Sequence, residues 1–344
     1  MELKEIMGAL CAPIGPSGFE GRAAAVANKL LAPLVDEITT DTLGNLIGIR
    51  RCGEENAPMV MLDAHLDQVG LIVTGYEKGF LRFENLGGVD IRLLPALEVQ
   101  LLTKNGVLPG VIDVLPPHLL TGEEKDKPIP MDRLCIDAGF ETEDEARSAV
   151  PQGTPAVYRT PFFSLGEHQV CSRALDDRSC AAILIAAMEQ TAGKKLAVDV
   201  AVHLAAQEEV GGRGALTGAY AVHPDYALIV DVTFGHTPDS PRHKTLAMNG
   251  GAAIGVGPTA ARSVSDRLEK LAEKRGIPYQ IEVMGGRSGT DADEIQTIRE
   301  GVATGLVSLP LKYMHTPVEV VDLRDAQAVT DLICAWLESF GEED

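Results

Sequence analysis

Two histidines and a set of carboxylates stand where apolar, strand-like runs end. Residues 59–64 lead into His65 and Asp67, 197–206 into Glu208 and Glu209, 226–230 into Asp231, and 306–314 into His315. Asp176 and Asp177 directly precede a helical pattern that begins at Ser179. In an open α/β sheet, ligands bind beyond the carboxyl ends of the strands, so these side chains are predicted to meet on one edge. Imidazoles mixed with carboxylates, without a thiolate, suit Zn2+, Co2+ or Mn2+ rather than Ca2+, which takes oxygen ligands. The set exceeds the three protein ligands usual for one catalytic zinc. It suits two cations that share a carboxylate and a water, with a further carboxylate outside the ligand set to take the proton. Asp67 lies two residues past His65, on the same face of an extended chain, where it can hold the imidazole in orientation.

Each residue also has a plain structural reading. An Asp at a strand end is commonly a turn former, Asp177 reads as the N-cap of the following helix, and Glu208-Glu209 reads as a solvated acidic pair. The pair is followed by Gly211, Gly212 and Gly214, which let a backbone turn tightly near a ligand. His118, His168, His203, His223, His236 and His243 are read as structural. The joint pattern carries the functional argument. Rival motifs are missing: the sequence has no H-E-x-x-H, no phosphate-binding P-loop and no G-x-S-x-G elbow. The glycine-rich loop 285–290, followed by Asp291, is placed where it could approach a substrate backbone.

The elements that must position these residues fall into two textures. Residues 22–34 pattern as an amphipathic helix, and 41–49 turn through Gly44-Asn45 into a strand. From about 67 to 163, short β-like runs alternate with turns, and the first helical pattern is 142–150. This stretch reads as a small β domain inserted into something else. After 164, strands (197–204, 226–232, 279–284, 304–313) alternate with helices (179–192, 263–275, 326–340). The expectation is a discontinuous α/β domain, 1–66 with 164–344, whose sheet is covered by helices on both faces, interrupted by a β insert over 67–163.

Composition bounds the rest. The 344 residues carry 30 Lys+Arg against 50 Asp+Glu, a formal charge of −20, with 45% hydrophobic and 23% charged residues. This is globular chemistry long enough to bury a full core. The negative field argues against nucleic acid and against anionic membrane. The stretch 245–261 is uncharged but broken by glycines and Pro258, so no membrane span is expected. Six cysteines without a C-x-x-C pair read as reduced thiols, and the N-terminus lacks a signal-peptide pattern, so a cytoplasmic protein is expected.

At these residues the chain resembles the metallo-aminopeptidases of peptidase family forty-two, the TET or glutamyl-aminopeptidase-like enzymes. The likeness runs nearly the whole length. It takes in Ser17-Gly-Phe-Glu20, Asp41-Thr-Leu-Gly-Asn45, Ala64-His-Leu-Asp67 with Val69-Gly70, and Pro116-Pro-His-Leu119. It continues through Ala174-Leu-Asp-Asp-Arg178, Gln207-Glu-Glu-Val-Gly211 with Arg213-Gly-Ala215, Val230-Asp-Val232, Gly289-Thr-Asp-Ala292 and Tyr313-Met-His-Thr-Pro-Val-Glu319.

The resemblance implies that His65, Asp176 and Asp231 hold one metal and that Glu209, His315 and the shared Asp176 hold a second, zinc or cobalt. It implies that Glu208 is the general base and acid and that Asp67 orients His65. It implies a zinc-peptidase α/β domain with a PDZ-like β insert used in dimerisation, and a homo-oligomer that in many relatives is a tetrahedral dodecamer. The substrates would be short peptides cleaved at the N-terminus. The family usually has Glu after the His-x-Asp motif, where this chain has Gln68. That position is not a direct ligand, so activity is still expected, while metal affinity or choice can differ. The rival readings are a related amide hydrolase, such as a deacylase or carboxypeptidase, and a non-catalytic assembly protein on the same fold.

Overall fold

The computed structural model describes residues 1–122 and 127–341. Two helices open the chain, α1 (Leu3–Cys11) and α2 (Gly21–Leu31), followed by a hairpin of β1 (Glu37–Thr40) and β2 (Leu46–Arg50) and by β3 (Met59–His65). The hairpin turn is held by Asp41, whose Oδ1 accepts the N–H groups of Leu43, Gly44 and Asn45, with Gly44 at φ 101°.

The chain then leaves the main sheet. Strands β4 (Gly70–Glu77), β5 (Phe80–Leu86), β6 (Glu98–Thr103), β7 (Gly106–Ile112), β8 (Ile136–Asp137) and β9 (Pro155–Tyr158) close a six-stranded antiparallel barrel. One short helix, α3 (Glu143–Ala149), joins it, opened by a Thr142–Glu145 capping box. Inward residues such as Leu71, Leu81, Val99, Leu101 and Ile136 form a separate core, as the alternation of barrel strands requires.

Main-sheet strands resume with β10 (Phe163–Leu165) and β11 (Gln169–Ser172). They continue through α4 (Leu175–Gln190), β12 (Asp199–Ala205), α5 (Arg213–Val222), β13 (Tyr226–Phe234), β14 (Ala252–Val256), α6 (Arg262–Arg275), β15 (Tyr279–Val283), α7 (Ala292–Ile295), β16 (Ala303–Lys312), β17 (Glu319–Asp322) and α8 (Leu323–Ser339). The mixed sheet runs β1-β2-β12-β3-β13-β16-β17-β11-β10, with β14 and β15 branching from β16. Its centre, β12, β3, β13 and β16, is parallel. That explains why β3 and β13 are buried along nearly their whole length instead of alternating.

The two faces of the sheet differ. Val60, Leu62 and Ala64 of β3, with Leu228 and Val230 of β13, face the large core built with α1, α2, α4, α6 and α8. The intervening Met61 and Ile229 face a small cluster under α5 and α7. His65 and Asp231 share the parity of Met61 and Ile229, so they project on this thinly covered side, beyond the helices. Helix α5 lies close to the sheet because Gly218 sits over His203, where a Cβ would fall 2.0 Å from the imidazole Nε2. All six cysteines are unpaired, five of them buried. Among the described residues no helix is long and apolar enough to cross a membrane.

Candidate functional site

At the carboxyl ends of β3, β12, β13 and β16 a cleft of about 480 Å³ is lined by His65, Asp176, Glu208, Glu209, Asp231 and His315. All six were expected to converge, and they do. Asp67 lies just beneath, fully buried. None of the six histidines read as structural lines this cleft. His203 is instead paired with Asp63 at 2.5 Å inside the molecule.

Asp176 stands between the two imidazoles. Its Oδ1 is 3.2 Å from His65 Nε2 and its Oδ2 is 3.2 Å from His315 Nε2. Glu209 Oε2 lies 3.3 Å from the same His315 nitrogen, and Glu208 Oε2 is 3.9 Å from His65 Nε2. Donor atoms of His65, Asp176 and Glu209 lie within 4.8 Å of one another, as do those of His65, Asp177 and Asp231.

Asp177 stands where the sequence reading put it, at the kink from which the regular helix runs on, with the non-helical dihedrals of a cap position. Its carboxylate has a further role, because Oδ2 accepts the main-chain N–H of His65 at 3.2 Å. Capping and site building both use a short acidic side chain at a helix start. What differs is the strand lying opposite.

Several buried groups hold these side chains in place. Asp67 contacts His65 Nδ1 at 3.2 Å and accepts the Ser17 hydroxyl at 2.6 Å. Glu319, read in the sequence only as part of a motif, accepts the main-chain N–H groups of Asp176 and His315 at 3.2 and 3.0 Å. It thereby fixes His315 at φ 59°, a conformation uncommon for any residue but glycine. The Gly88 carbonyl, from the loop after β5, meets His315 Nδ1 at 3.0 Å. Asn45 takes the Ala206 N–H at 2.8 Å, and Glu20 takes the Gln207 N–H at 3.1 Å. These two steady the segment that carries Glu208.

Electrostatics follow from the crowding. Burial would lower the imidazole pKa of His65, but hydrogen bonds to Asp176 and Asp67 hold it well above the usual value. Burial would raise Asp176, but hydrogen bonds from His315 and His65 keep it below the ordinary range. Glu209 and Asp231 are pushed up by burial and then by the nearby Asp176 charge. Glu208 is raised to about 7, chiefly by burial. Asp177 Oδ1 and Glu209 Oε1 are buried without a hydrogen-bond partner. Buried carboxylates that repel one another and lack partners fit divalent cations, and imidazoles joined to carboxylates are the donor set of zinc and its neighbours.

A family model described as M42 glutamyl aminopeptidase matches residues 44–332. A lysyl aminopeptidase of Pyrococcus furiosus is 34% identical over 99% of this chain and 98% of its own. An aminopeptidase from the archaeon Desulfurococcus kamchatkensis superposes with a TM-score of 0.91 at 34% identity, over 98% of this chain and 94% of its own. The TET1 peptidase of Pyrococcus horikoshii, described as able to assemble into a tetrahedron or a large octahedral shell, superposes with a TM-score of 0.86 at 32% identity, over 98% and 99%. The chain belongs to the M42 glutamyl aminopeptidase family and is a hydrolase acting on peptide bonds.

Proposed function

We propose that the chain is a dinuclear metal-dependent aminopeptidase that removes N-terminal residues from short peptides. The observation that carries this reading is Asp176, which presents one oxygen to each imidazole at equal distance, as a shared ligand between two cations must. His65, Asp176 and Asp231 would hold one cation, and Glu209, His315 and Asp176 would hold the other. Zinc or cobalt bound there supplies Lewis acidity that polarises the scissile carbonyl and makes water a better attacker.

The protein's own groups do the rest. Glu208 takes the proton from the attacking water as its oxygen bonds to the carbonyl carbon, and returns it to the amine nitrogen as the C–N bond breaks. A carboxyl raised to about 7 is matched to giving and taking a proton near neutrality. Asp67 holds the imidazole of His65 and, through main-chain N–H groups, the segment bearing Glu208. Asp177 accepts the main-chain N–H of His65 and so fixes the strand end that carries the imidazole.

Val111 of β7 and Val114, Leu115 and Leu119 of the connection that follows it are exposed, and apolar side chains left in solvent here support pairing of copies through this unit in a homo-oligomer. Unpaired cysteines support a reducing, cytoplasmic setting.

The test is metal content together with turnover of aminoacyl-anilides. Two equivalents of zinc or cobalt per chain and cleavage only of substrates with a free amine are expected. Glu208→Gln is expected to keep both metals and to lose roughly 10²–10⁴-fold in kcat. Near-normal cleavage by that variant refutes the assigned mechanism, and cleavage confined to N-blocked peptides replaces the aminopeptidase with a deacylase. Mass measurement in solution settles the assembly.

A further inference from the structure

Beside the ligand cluster the cleft carries a carboxylate that the hydrolytic chemistry leaves unused. Thr233 lies two residues beyond Asp231 on β13, on the same face. Ser308 on β16 stands in register with Asp231, one strand away at roughly 4.8 Å. Both hydroxyls donate to Glu282 of β15, Thr233 to Oε1 and Ser308 to Oε2, the latter at 2.6 Å. Glu282 is thereby fixed next to Asp231 and lines the same cleft as Glu208 and His315.

Two neutral hydroxyls orient the carboxylate without cancelling its charge. Among the described residues no cationic side chain pairs with it. Arg287, the basic residue nearest in sequence on that side, is committed to Asp293 and Glu294. A carboxylate has about four acceptor positions, and two of Glu282's are filled. Leu306, Met314 and Phe234 supply apolar wall beside it. Asp176, Asp231 and Glu209 would be neutralised by bound cations, but Glu282 is in neither ligand group, so its charge remains to be matched by substrate.

An anchored, unpaired carboxylate with apolar wall fits a side chain that combines an apolar stem with a cationic head. Building on the aminopeptidase reading above, we propose that Glu282 is a specificity-determining residue that selects peptides beginning with lysine or arginine, accepting the ammonium or guanidinium of that first side chain.

The test compares kcat/KM for Lys-, Arg-, Leu- and Glu-anilides in the metal-loaded wild type, Glu282→Gln and Glu282→Lys. Wild type is expected to favour Lys and Arg over Leu. Glu282→Gln should lose roughly ten- to hundredfold on Lys and Arg, the scale of one hydrogen bond to a charged group, with a much smaller change on Leu. Glu282→Lys should favour Glu over Lys, a gain that misfolding cannot produce. An equal fall on all substrates with Glu282→Gln overturns the proposal, because the carboxylate would then hold the common α-amine. So does a wild type that prefers Leu.

A binding measurement separates this idea from the catalytic one. Calorimetry on metal-loaded Glu208→Gln should show L-lysinamide binding at least tenfold tighter than L-norleucinamide, which keeps the four-carbon stem and lacks the terminal ammonium. Equal binding overturns the proposal even if hydrolysis is confirmed. Preferential lysinamide binding with no anilide cleaved by wild type upholds it and overturns the aminopeptidase reading instead.

Discussion

Asp67 Oδ1 accepts the main-chain N–H of Glu208 at 3.0 Å, and its Oδ2 accepts that of Glu209 at 3.2 Å. One buried carboxylate therefore sets the imidazole of His65 and the two neighbouring acids together. In Asp67→Asn an amide NH2 replaces one acceptor and faces an N–H donor. The expected loss is about 10–100-fold in metal affinity or kcat/KM, the usual scale for a group that orients a ligand. Metal titration and steady-state kinetics on the same preparation measure it. Unchanged values for both would show that Asp67 only fills space.

Metal should stabilise the fold, since Glu209 and Asp231 are buried beside the Asp176 charge and Glu209 Oε1 has no hydrogen-bond partner. Adding Zn2+ or Co2+ to chelator-stripped protein is expected to raise the unfolding temperature. At a free concentration 100 times the dissociation constant the gain is about 2.7 kcal/mol. Asp176→Asn, which weakens the contact between the two imidazoles, should remove most of that gain. An unfolding temperature indifferent to either ion argues against ligation here.

The close seat of α5 gives a packing prediction. Gly218→Ala places a methyl 2.0 Å from His203 Nε2, and His203 cannot retreat because it is fully buried against Asp63. Overpacking of this kind costs about 1–3 kcal/mol, readable by chemical denaturation. Stability equal to wild type would mean that α5 lifts freely from the sheet.

Gln68 has a partner of its own. Arg173 Nη1 donates to Gln68 Oε1 at 2.6 Å, and Nη2 donates to the Ala12 carbonyl at 2.9 Å. Gln68→Met takes away the shortest acceptor of a buried guanidinium and should cost about 1–3 kcal/mol. Gln68→Glu supplies an opposite charge and should be at least as stable as wild type. The pair is compared by thermal denaturation, and the reverse order would refute the assignment.

Asp325, in the first turn of α8, supplies a pH prediction. It accepts the N–H groups of Asn249 and Gly251 at 2.6 and 2.8 Å, yet burial pushes its carboxyl up to about 6 from an ordinary value of 3.8. The folded state thus holds the proton more tightly than the unfolded chain. Stability from this group is full below about pH 4 and is lost as pH rises through about 6. Wild type should lose stability relative to Asp325→Asn over that window. The difference curve cancels the site carboxylates common to both proteins, and a flat or rising difference contradicts the assignment.

Much of the site was legible because strand ends in an α/β sheet are where chemistry collects. His65, Asp231 and His315 each follow a long apolar run, and their convergence needs only that the runs lie side by side. The bond from Asp177 to the His65 main chain was not legible because it depends on which strand lies opposite. Glu282 was passed over for the same reason, since it sits inside β15 and only pairing and register decide whether its side chain meets the cleft; Glu319, quoted only within a motif, opens β17 and acts through main-chain N–H groups that the sequence does not place beside it. The short strands Phe163–Leu165, Gln169–Ser172 and Glu319–Asp322 carry too few residues for a periodic signal, and pairing with neighbours makes them strands. Helix α8 begins three residues before the expected 326 because Asp322 caps it through the Arg324 N–H.

The contact from the Gly88 carbonyl to His315 changes what the barrel means for the enzyme. A unit with its own core looks dispensable, yet it holds one end of an imidazole that stands among the cleft's carboxylates. Trimming the chain to a minimal hydrolase would release that ring. The orientation of His315 therefore rests on both units at once, on the Gly88 carbonyl that follows a barrel strand and on Glu319 of the main sheet.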